Sequence, residues 1–160
     1  MLHLRSDSPA STSAIAASLA GLARRGDLIV LAGEMGVGKT AFAKGFGRAI
    51  GVIEPITSPT YTLVHSYPAG RVTLHHADIY RLTTHHEVAD LAFAELLESD
   101  GIVIVEWGDV VAGTLGEHLL VRMEFDDADE DTREIVVTAT GRSWAVRWDE
   151  IERRLAAFAC

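Results

Sequence analysis

The pattern of apolar and polar residues divides this chain into short helices and strands. Apolar residues recur at helical spacing over about residues 11–24, where Ile15, Leu19 and Leu22 fall on one face. The continuous apolar run 28–32 is typical of a strand that is buried on both faces. The first part of the chain therefore predicts a helix followed by a buried strand.

Further elements follow from the same patterns. The predicted strands are an edge strand 2–5, a hairpin of 61–67 and 71–80 joined by Pro68-Ala69-Gly70, an apolar strand 101–106, and a pair 118–125 and 133–140 around the acidic turn 126–131. The other predicted helices are 39–50, ended by Gly51, then 86–97 and 143–158. This order predicts an α/β fold whose mixed sheet has a parallel core and antiparallel additions.

The strand 28–32 leads directly into Gly33-Glu34-Met35-Gly36-Val37-Gly38-Lys39-Thr40. This is the pattern of a phosphate-binding loop (P-loop), in which glycines let backbone N–H groups converge, the lysine reaches the outer phosphates and the threonine hydroxyl ligates Mg²⁺. The start of the next helix adds partial positive charge. The fold class is therefore a P-loop NTPase-like three-layer sandwich. The residues expected to contact the nucleotide are Glu34, Met35, Gly36, Val37, Gly38, Lys39, Thr40 and Ala41.

Composition indicates which nucleotide the chain binds and in which cellular compartment it is expected. The 160 residues predict one domain over residues 1–160, and a net charge of −9 disfavours direct docking on nucleic acid. The sequence holds neither asparagine nor glutamine, which excludes the guanine-reading Asn-Lys-x-Asp motif and a water-orienting glutamine, so ATP is favoured. One cysteine, no signal-peptide pattern and no apolar run of about 18 residues predict a soluble cytoplasmic protein without membrane contact.

Two carboxylates are candidates for the chemistry of hydrolysis. Glu106 ends the apolar strand 101–106 and is expected at the carboxyl edge of the sheet, where open α/β sheets bind their ligands. We assign it to Mg²⁺ together with Thr40, although an acid that caps a turn at the sheet edge is the alternative. Asp78 ends a less apolar strand and is assigned to orienting water or a Mg²⁺-bound water. With Lys39, these two acids form the predicted catalytic set.

Residues around these segments have both a functional and a plain interpretation. Thr57, Ser58 and Thr60 lie on a loop constrained by prolines, which either responds to the γ-phosphate as a switch or forms an ordinary turn. Trp107 either packs beside the phosphates or fills the rim of the site. Arg81 either supplies charge to a transition state or pairs with the acidic helix that follows it.

Two polar residues are candidates for contacts to the adenine base, and four histidines bear on a transition-metal site. Ser11, in the first predicted helix, and Asp109, after Glu106-Trp107, are the candidates for adenine contacts. Neighbouring histidines on a strand point to opposite faces, and their spacing matches no zinc pattern. These histidines are therefore interpreted as core or solvent-facing residues; they are His75, His76, His85 and His86.

Four segments occur together in one order. They are the P-loop, Thr57-Ser58-Pro59-Thr60-Tyr61, His76-Ala77-Asp78-Ile79-Tyr80-Arg81 and Val105-Glu106-Trp107. In this combination the chain resembles the TsaE (YjeE) family, small bacterial ATPases of tRNA threonylcarbamoyladenosine biosynthesis, over about residues 10–140. The resemblance implies an ATPase that associates with the TsaD and TsaB proteins. It would support transfer of a threonylcarbamoyl group to adenosine 37 of certain tRNAs and reach tRNA only through that complex.

The resemblance also implies roles for single residues. Thr40 and Glu106 match the family's Mg²⁺-binding threonine and glutamate, and Asp78 matches the aspartate that matters for hydrolysis. We place Tyr80 with Arg81, Trp107 and the loop 57–60 on a switch or partner-facing surface. Two other functions remain open, a small-molecule kinase and a nucleotide-dependent interaction switch.

Overall fold

The computed structural model describes residues 1–57, 64–79, 101–106 and 115–160. Within these residues, seven strands form one sheet in the order β1-β7-β6-β2-β5-β4-β3. The strands are β1 (Leu2–Ser6), β2 (Leu28–Ala32), β3 (Val64–Ala69), β4 (Val72–Asp78), β5 (Gly101–Glu106), β6 (His118–Phe125) and β7 (Arg133–Thr140).

The middle of the sheet is parallel and its margins are antiparallel. Strand β2 runs parallel to both β5 and β6, and β4 runs parallel to β5. Strand β3 joins β4, and β7 joins β6 and β1, in antiparallel pairs. The predicted mixed sheet with a parallel core is therefore confirmed. Strand β2, which leads into the P-loop, lies at its centre.

The helix before the P-loop begins and ends earlier than the predicted 11–24. Helix α1 (Pro9–Ala20) begins after Ser8, whose side chain accepts a hydrogen bond from the Ser11 amide at 3.1 Å. Pro9 lies at the first helical position, where its missing N–H costs nothing. The local capping residues, rather than the apolar spacing, thus set the start of this helix.

Helix α2 (Lys39–Ile50) has the predicted bounds and ends at Gly51, which adopts a left-handed conformation with φ of 105°. Its packing against α1 depends on a glycine. A Cβ placed on Gly45 would lie 2.6 Å from the Ser13 Cα and 2.7 Å from the Ser13 carbonyl oxygen. The two helices can therefore approach at this point only because Gly45 has no side chain.

The predicted hairpin is present, but its turn lies elsewhere. Pro68 and Ala69 belong to β3, and the chain reverses at Gly70 and Arg71, where Gly70 has φ of 72°. Strand β3 is at the edge of the described sheet, where a proline without an N–H is tolerated. Outside the described residues lie 61–63 and 80 of the predicted strands and the whole predicted helix 86–97.

The prediction of one helix over residues 143–158 is wrong. The segment forms α3 (Arg142–Ala145), α4 (Trp148–Leu155) and a 3₁₀ turn (Ala156–Phe158). Arg147, between α3 and α4, makes a buried ion pair with Asp27, and its Nη1 and Nη2 lie 2.7 and 2.8 Å from the two carboxylate oxygens. Arg147 thus lies at the break between the two helices and contacts Asp27, which immediately precedes β2.

The larger core lies between one face of the sheet and helices α1, α2 and α4. Alternate strand residues such as Leu31, Leu74 and Ile104 point into it. A smaller apolar cluster on the other face includes Val30 and Val105. None of the helices in the described parts of the chain is long and apolar enough to cross a membrane.

Candidate nucleotide-binding site

The P-loop connects the central strand β2 to α2, and its glycines have conformations that other residues rarely adopt. Gly33, Gly36 and Gly38 have φ of 141°, 80° and 125°. Gly33 is also wedged against β6, because a Cβ there would collide with the Met123 carbonyl oxygen and would lie 2.8 Å from Val37 Cγ1. The backbone of the loop is thus fixed by glycine chemistry and by its contact with β6.

Lys39 folds back across the loop. Its Nζ donates to the carbonyl oxygens of Gly33 at 2.7 Å and Glu34 at 2.8 Å, and only 5% of the residue is exposed. The ammonium group is therefore held beside the loop at the start of α2, where the helix dipole also favours anions. Glu34, Met35 and Gly36 are exposed, so this side of the loop is open to a ligand.

The two predicted carboxylates lie next to each other on neighbouring strands. Asp78 and Glu106 are register partners at the ends of β4 and β5, and Glu106 is also the register partner of Leu31 in β2. Both acids share strand parity with core residues such as Leu74 and Ile104, so they lie on the face that α2 covers. The sheet thus brings both carboxylates to the same edge and face as the P-loop.

Sequence reasoning missed a histidine beneath Glu106. His76 is fully buried, and its Nε2 lies 3.1 Å from the Glu106 carboxylate, of which only a few per cent is exposed. Neither ring nitrogen makes a well-directed hydrogen bond with the described residues, so the pair is a close contact rather than a hydrogen bond. Strand alternation could have indicated its position, because a residue two positions before Asp78 on a strand points to the same face as Asp78.

The neighbouring His75 is a core residue with a different environment. Its Nδ1 lies 2.7 Å from the Ser66 hydroxyl, and burial lowers the pKa of the ring. His75 and His76 are both buried in adjacent strand positions, which agrees with their interpretation as core histidines. His85 and His86 lie outside the described residues.

The donor groups present fit a hard divalent cation. Thr40 stands in the first turn of α2, and Glu106 ends β5 on the face covered by that helix. Hydroxyl and carboxylate oxygens are the ligands that Mg²⁺ prefers, and a buried carboxylate is stabilised by a nearby positive charge. The residues assigned to Mg²⁺ are therefore suited to it in type and in location.

The other predicted site residues fall into two groups. Ser11 lies in the first turn of α1, and its neighbour Thr12 approaches the P-loop, with Cγ2 3.9 Å from the position of a Cβ on Gly38. The Thr57 amide donates to the Tyr67 hydroxyl at 3.4 Å. Outside the described residues lie Ser58, Thr60, Tyr80, Arg81, Trp107 and Asp109.

Comparison with known proteins gives one consistent family. The sequence profile described as threonylcarbamoyl adenosine biosynthesis protein TsaE matches residues 6–135. The Bacillus subtilis (strain 168) protein named tRNA threonylcarbamoyladenosine biosynthesis protein TsaE is 35% identical over 152 residues, which cover 95% of this chain and 94% of the relative. The Treponema pallidum (strain Nichols) protein of the same name is 39% identical over 116 residues, covering 72% of this chain and 84% of the relative.

The likeness extends to the fold. The crystal structure of YdiB from Bacillus subtilis matches with a TM-score of 0.74 and 32% sequence identity, covering 95% of this chain and 94% of that one. The profile match includes the P-loop, Asp78 and Glu106. The chain belongs to the TsaE family of threonylcarbamoyl adenosine biosynthesis proteins.

Proposed function

We propose that this chain binds ATP with Mg²⁺ in its P-loop, hydrolyses it slowly, and thereby supports formation of threonylcarbamoyladenosine at position 37 of tRNA. Its relatives carry the name of that biosynthetic pathway. The observation that carries the proposal is the placement of Asp78 and Glu106, which end neighbouring parallel strands beside the strand that enters the P-loop. A loop that only bound phosphate would not need two acids at this edge.

Each residue has a separate task in the proposed reaction. The backbone N–H groups of residues 36–40 and the Lys39 ammonium group hold the β- and γ-phosphates. Bound Mg²⁺ neutralises phosphate charge, and the Thr40 hydroxyl and the Glu106 carboxylate are the groups that would hold it. Asp78 accepts a hydrogen bond from the attacking water and orients it towards the γ-phosphate. The buried His76 ring packs against the Glu106 carboxylate at 3.1 Å and limits the space in which it can move.

The partners in this proposal are the TsaD and TsaB proteins, which would contact tRNA and carry out the transfer. The chain carries a net charge of −9, so its own field repels a phosphate backbone. ATP binding and hydrolysis would then control how long the complex stays assembled. The switch would include Thr57 and the segment that follows it.

Calorimetry on two lysine variants tests the nucleotide site. Lys39→Ala should weaken ATP binding by at least about tenfold, because the phosphates lose a charge-assisted donor. Lys44→Ala is the matched control: it removes the chain's other lysine, which is exposed on the same helix, and should leave the affinity unchanged. Equal affinities in Lys39→Ala and the parent would contradict the assignment of the loop.

Product analysis separates the proposed ATPase from the two rival functions. Release of inorganic phosphate without any acceptor supports the ATPase. ADP that forms only when an acceptor molecule is added would instead identify a kinase. Tight ATP binding without turnover, even with TsaD and TsaB present, would identify an interaction switch.

A further inference from the structure

A side chain from the far end of the sequence holds the P-loop backbone. Arg133, the first residue of β7, donates from Nε to the carbonyl oxygen of Val37 at 2.9 Å. Val37 is in the middle of the loop, and its amide donates to the Glu34 carbonyl at 3.2 Å. Its side chain is only 1% exposed. The Val37 carbonyl therefore points towards the β6–β7 hairpin.

The guanidinium group of Arg133 is itself held in place. Its Nη1 donates to the carbonyl oxygens of Glu130 at 2.5 Å and Thr132 at 2.8 Å. The central guanidinium carbon lies 4.5 Å from the centroid of the Phe125 ring, at a distance typical of a cation–π contact. With these contacts on its other side, the Nε–H has little freedom to turn away from Val37.

The turn that carries these carbonyls is also well ordered by hydrogen bonds. The buried Thr132 donates from its hydroxyl to the Asp129 carboxylate at 2.8 Å, which lowers the pKa of that acid. The Asp126 carboxylate accepts from the amides of Ala128 at 2.8 Å and Asp129 at 3.0 Å. Hydrogen bonds within the acidic turn thus hold the segment that carries the carbonyl partners of Arg133.

The peptide group between Val37 and Gly38 transmits this contact to the site. In a planar trans peptide the C=O and the N–H point in opposite directions. Because Arg133 holds the Val37 carbonyl, the Gly38 N–H points away from the hairpin. Gly38 adopts φ of 125° and lacks a Cβ, so its own conformational preference does little to fix the orientation of this peptide.

We propose that Arg133 is a positioning residue of the phosphate-binding loop. By holding the Val37 carbonyl it aims the Gly38 N–H at the position of the phosphates. The proposal rests on the proposed function, since it assumes that this loop binds the phosphates of ATP. Arg133 does not itself touch the nucleotide, and its effect is on affinity through the loop backbone.

Three variants and two measurements test this role. Arg133→Met removes every donor but keeps an apolar stem, and Arg133→Gln provides an amide NH2 group as a neutral donor. Arg5→Met is the matched control, because Arg5 is exposed and pairs with Asp126 of the same turn at 3.6 Å without reaching Val37. We would measure the dissociation constant for ATP by calorimetry and the Gly38 amide signal by NMR in the nucleotide-free protein.

We expect Arg133→Met to weaken ATP binding about tenfold and to shift the Gly38 amide signal, since the charge-assisted hydrogen bond that holds the Val37 carbonyl is lost with the other Arg133 contacts. Arg133→Gln should recover part of the affinity, and Arg5→Met should match the parent. A parental dissociation constant in Arg133→Met would overturn the proposal. So would weaker binding with an unshifted Gly38 amide, because Arg133 would then act through its charge alone.

Two further outcomes are also decisive. Thermal unfolding shows whether Arg133→Met folds. If it does not, Arg133→Gln and Arg133→Lys are measured in its place. Parental ATP affinity together with an unshifted Gly38 amide signal in both variants would overturn the proposal. If the parent itself does not bind ATP, the proposed function fails. The Gly38 amide signal then decides the question by itself, since a shift in the Arg133 variants supports the proposed contact and an unchanged signal contradicts it.

Discussion

Asp78 and Glu106 carry the same functional group in different surroundings. Glu106 is 2% exposed and has His76 beside it, whereas Asp78 is half-buried at the end of the neighbouring strand. A buried carboxylate beside a buried histidine suits a fixed role in binding a cation, and a more accessible one suits contact with water. The two acids therefore differ in exposure and in contacts, and the proposed mechanism gives them different roles.

The role of Asp78 can be separated from binding by kinetics. Asp78→Asn keeps the size of the side chain but removes the base, so we expect ATP affinity near that of the parent and a fall in kcat of about a hundredfold. Calorimetry and phosphate-release assays measure the two quantities. Asp149→Asn, an exposed change on α4, is the control. Equal loss of affinity and rate in Asp78→Asn would point to a structural or Mg²⁺-binding role instead.

Thr40 and Glu106 should determine the magnesium requirement. Glu106→Gln removes the negative charge of one proposed ligand and Thr40→Ala removes the hydroxyl of the other, so the Mg²⁺ concentration at half-maximal ATP binding should rise by roughly tenfold. A magnesium titration at fixed ATP gives this midpoint. Thr40→Ser keeps the hydroxyl and should restore the parental value. An unchanged midpoint in the first two variants would remove both residues from the Mg²⁺ site.

At the scale of elements, one ion pair attaches the C-terminal helices to the body of the domain. The Arg147 guanidinium group uses all of its donor positions, bonding to Asp27, to the Leu22 carbonyl and to both the carbonyl and the hydroxyl of Ser143. It also stacks on the Trp144 ring at 4.0 Å. Such a fully satisfied buried pair gives a fixed attachment rather than a solvent-exposed contact.

Breaking this pair from one side should be costly. Arg147→Met leaves the buried Asp27 carboxylate without its charged partner, with the Arg24 amide still donating to it at 2.6 Å, and we expect a loss of about 3 kcal/mol in the free energy of unfolding. The double variant Arg147→Met, Asp27→Leu should recover much of it. Urea denaturation measures both. Arg153→Met, which removes an exposed partner of Glu150, is the control and should leave the midpoint near that of the parent. An equally small effect of Arg147→Met would contradict the attachment.

The same contact shows why some elements were predictable and others were not. Strands such as 28–32 and 101–106 carry their signal locally, because full burial requires an unbroken apolar run, and both have the predicted bounds. At the break in the C-terminal helix, Arg147 contacts Asp27, which is 120 residues away. No local pattern encodes that contact, so periodicity alone predicted a continuous helix.

In the candidate site too, some features could be predicted from local sequence and others depend on distant contacts. The strand-to-helix position of the P-loop and the sheet-edge position of the two acids were predictable, because glycine chemistry and strand polarity act over a few residues. The contact of Arg133 with Val37 spans 96 positions and has no sequence motif. His76 lies between these cases, since strand alternation places it on the face of Asp78, while its approach to Glu106 depends on the pairing of β4 with β5.

For the whole molecule, the net charge and the proposed partners lead to a test of the assembled system. At physiological salt the isolated chain should hydrolyse ATP slowly and bind tRNA poorly, and addition of TsaD and TsaB should raise the hydrolysis rate. Phosphate release and a tRNA-binding assay, with each protein alone and together, measure this. If the isolated chain hydrolyses ATP as fast as the mixture with TsaD and TsaB does, or binds tRNA tightly, the proposal that the partners stimulate hydrolysis and contact tRNA would be contradicted.

The order of strands also governs when the site forms during synthesis. The P-loop follows β2 early in the chain, yet β2 pairs with β5 and β6, which come some 70 to 90 residues later. Such non-local pairing raises contact order and slows folding, because the intervening chain must close first. A ribosome that has released only the first helices and the P-loop would therefore expose no working site. Nucleotide would begin to bind only when translation is nearly complete.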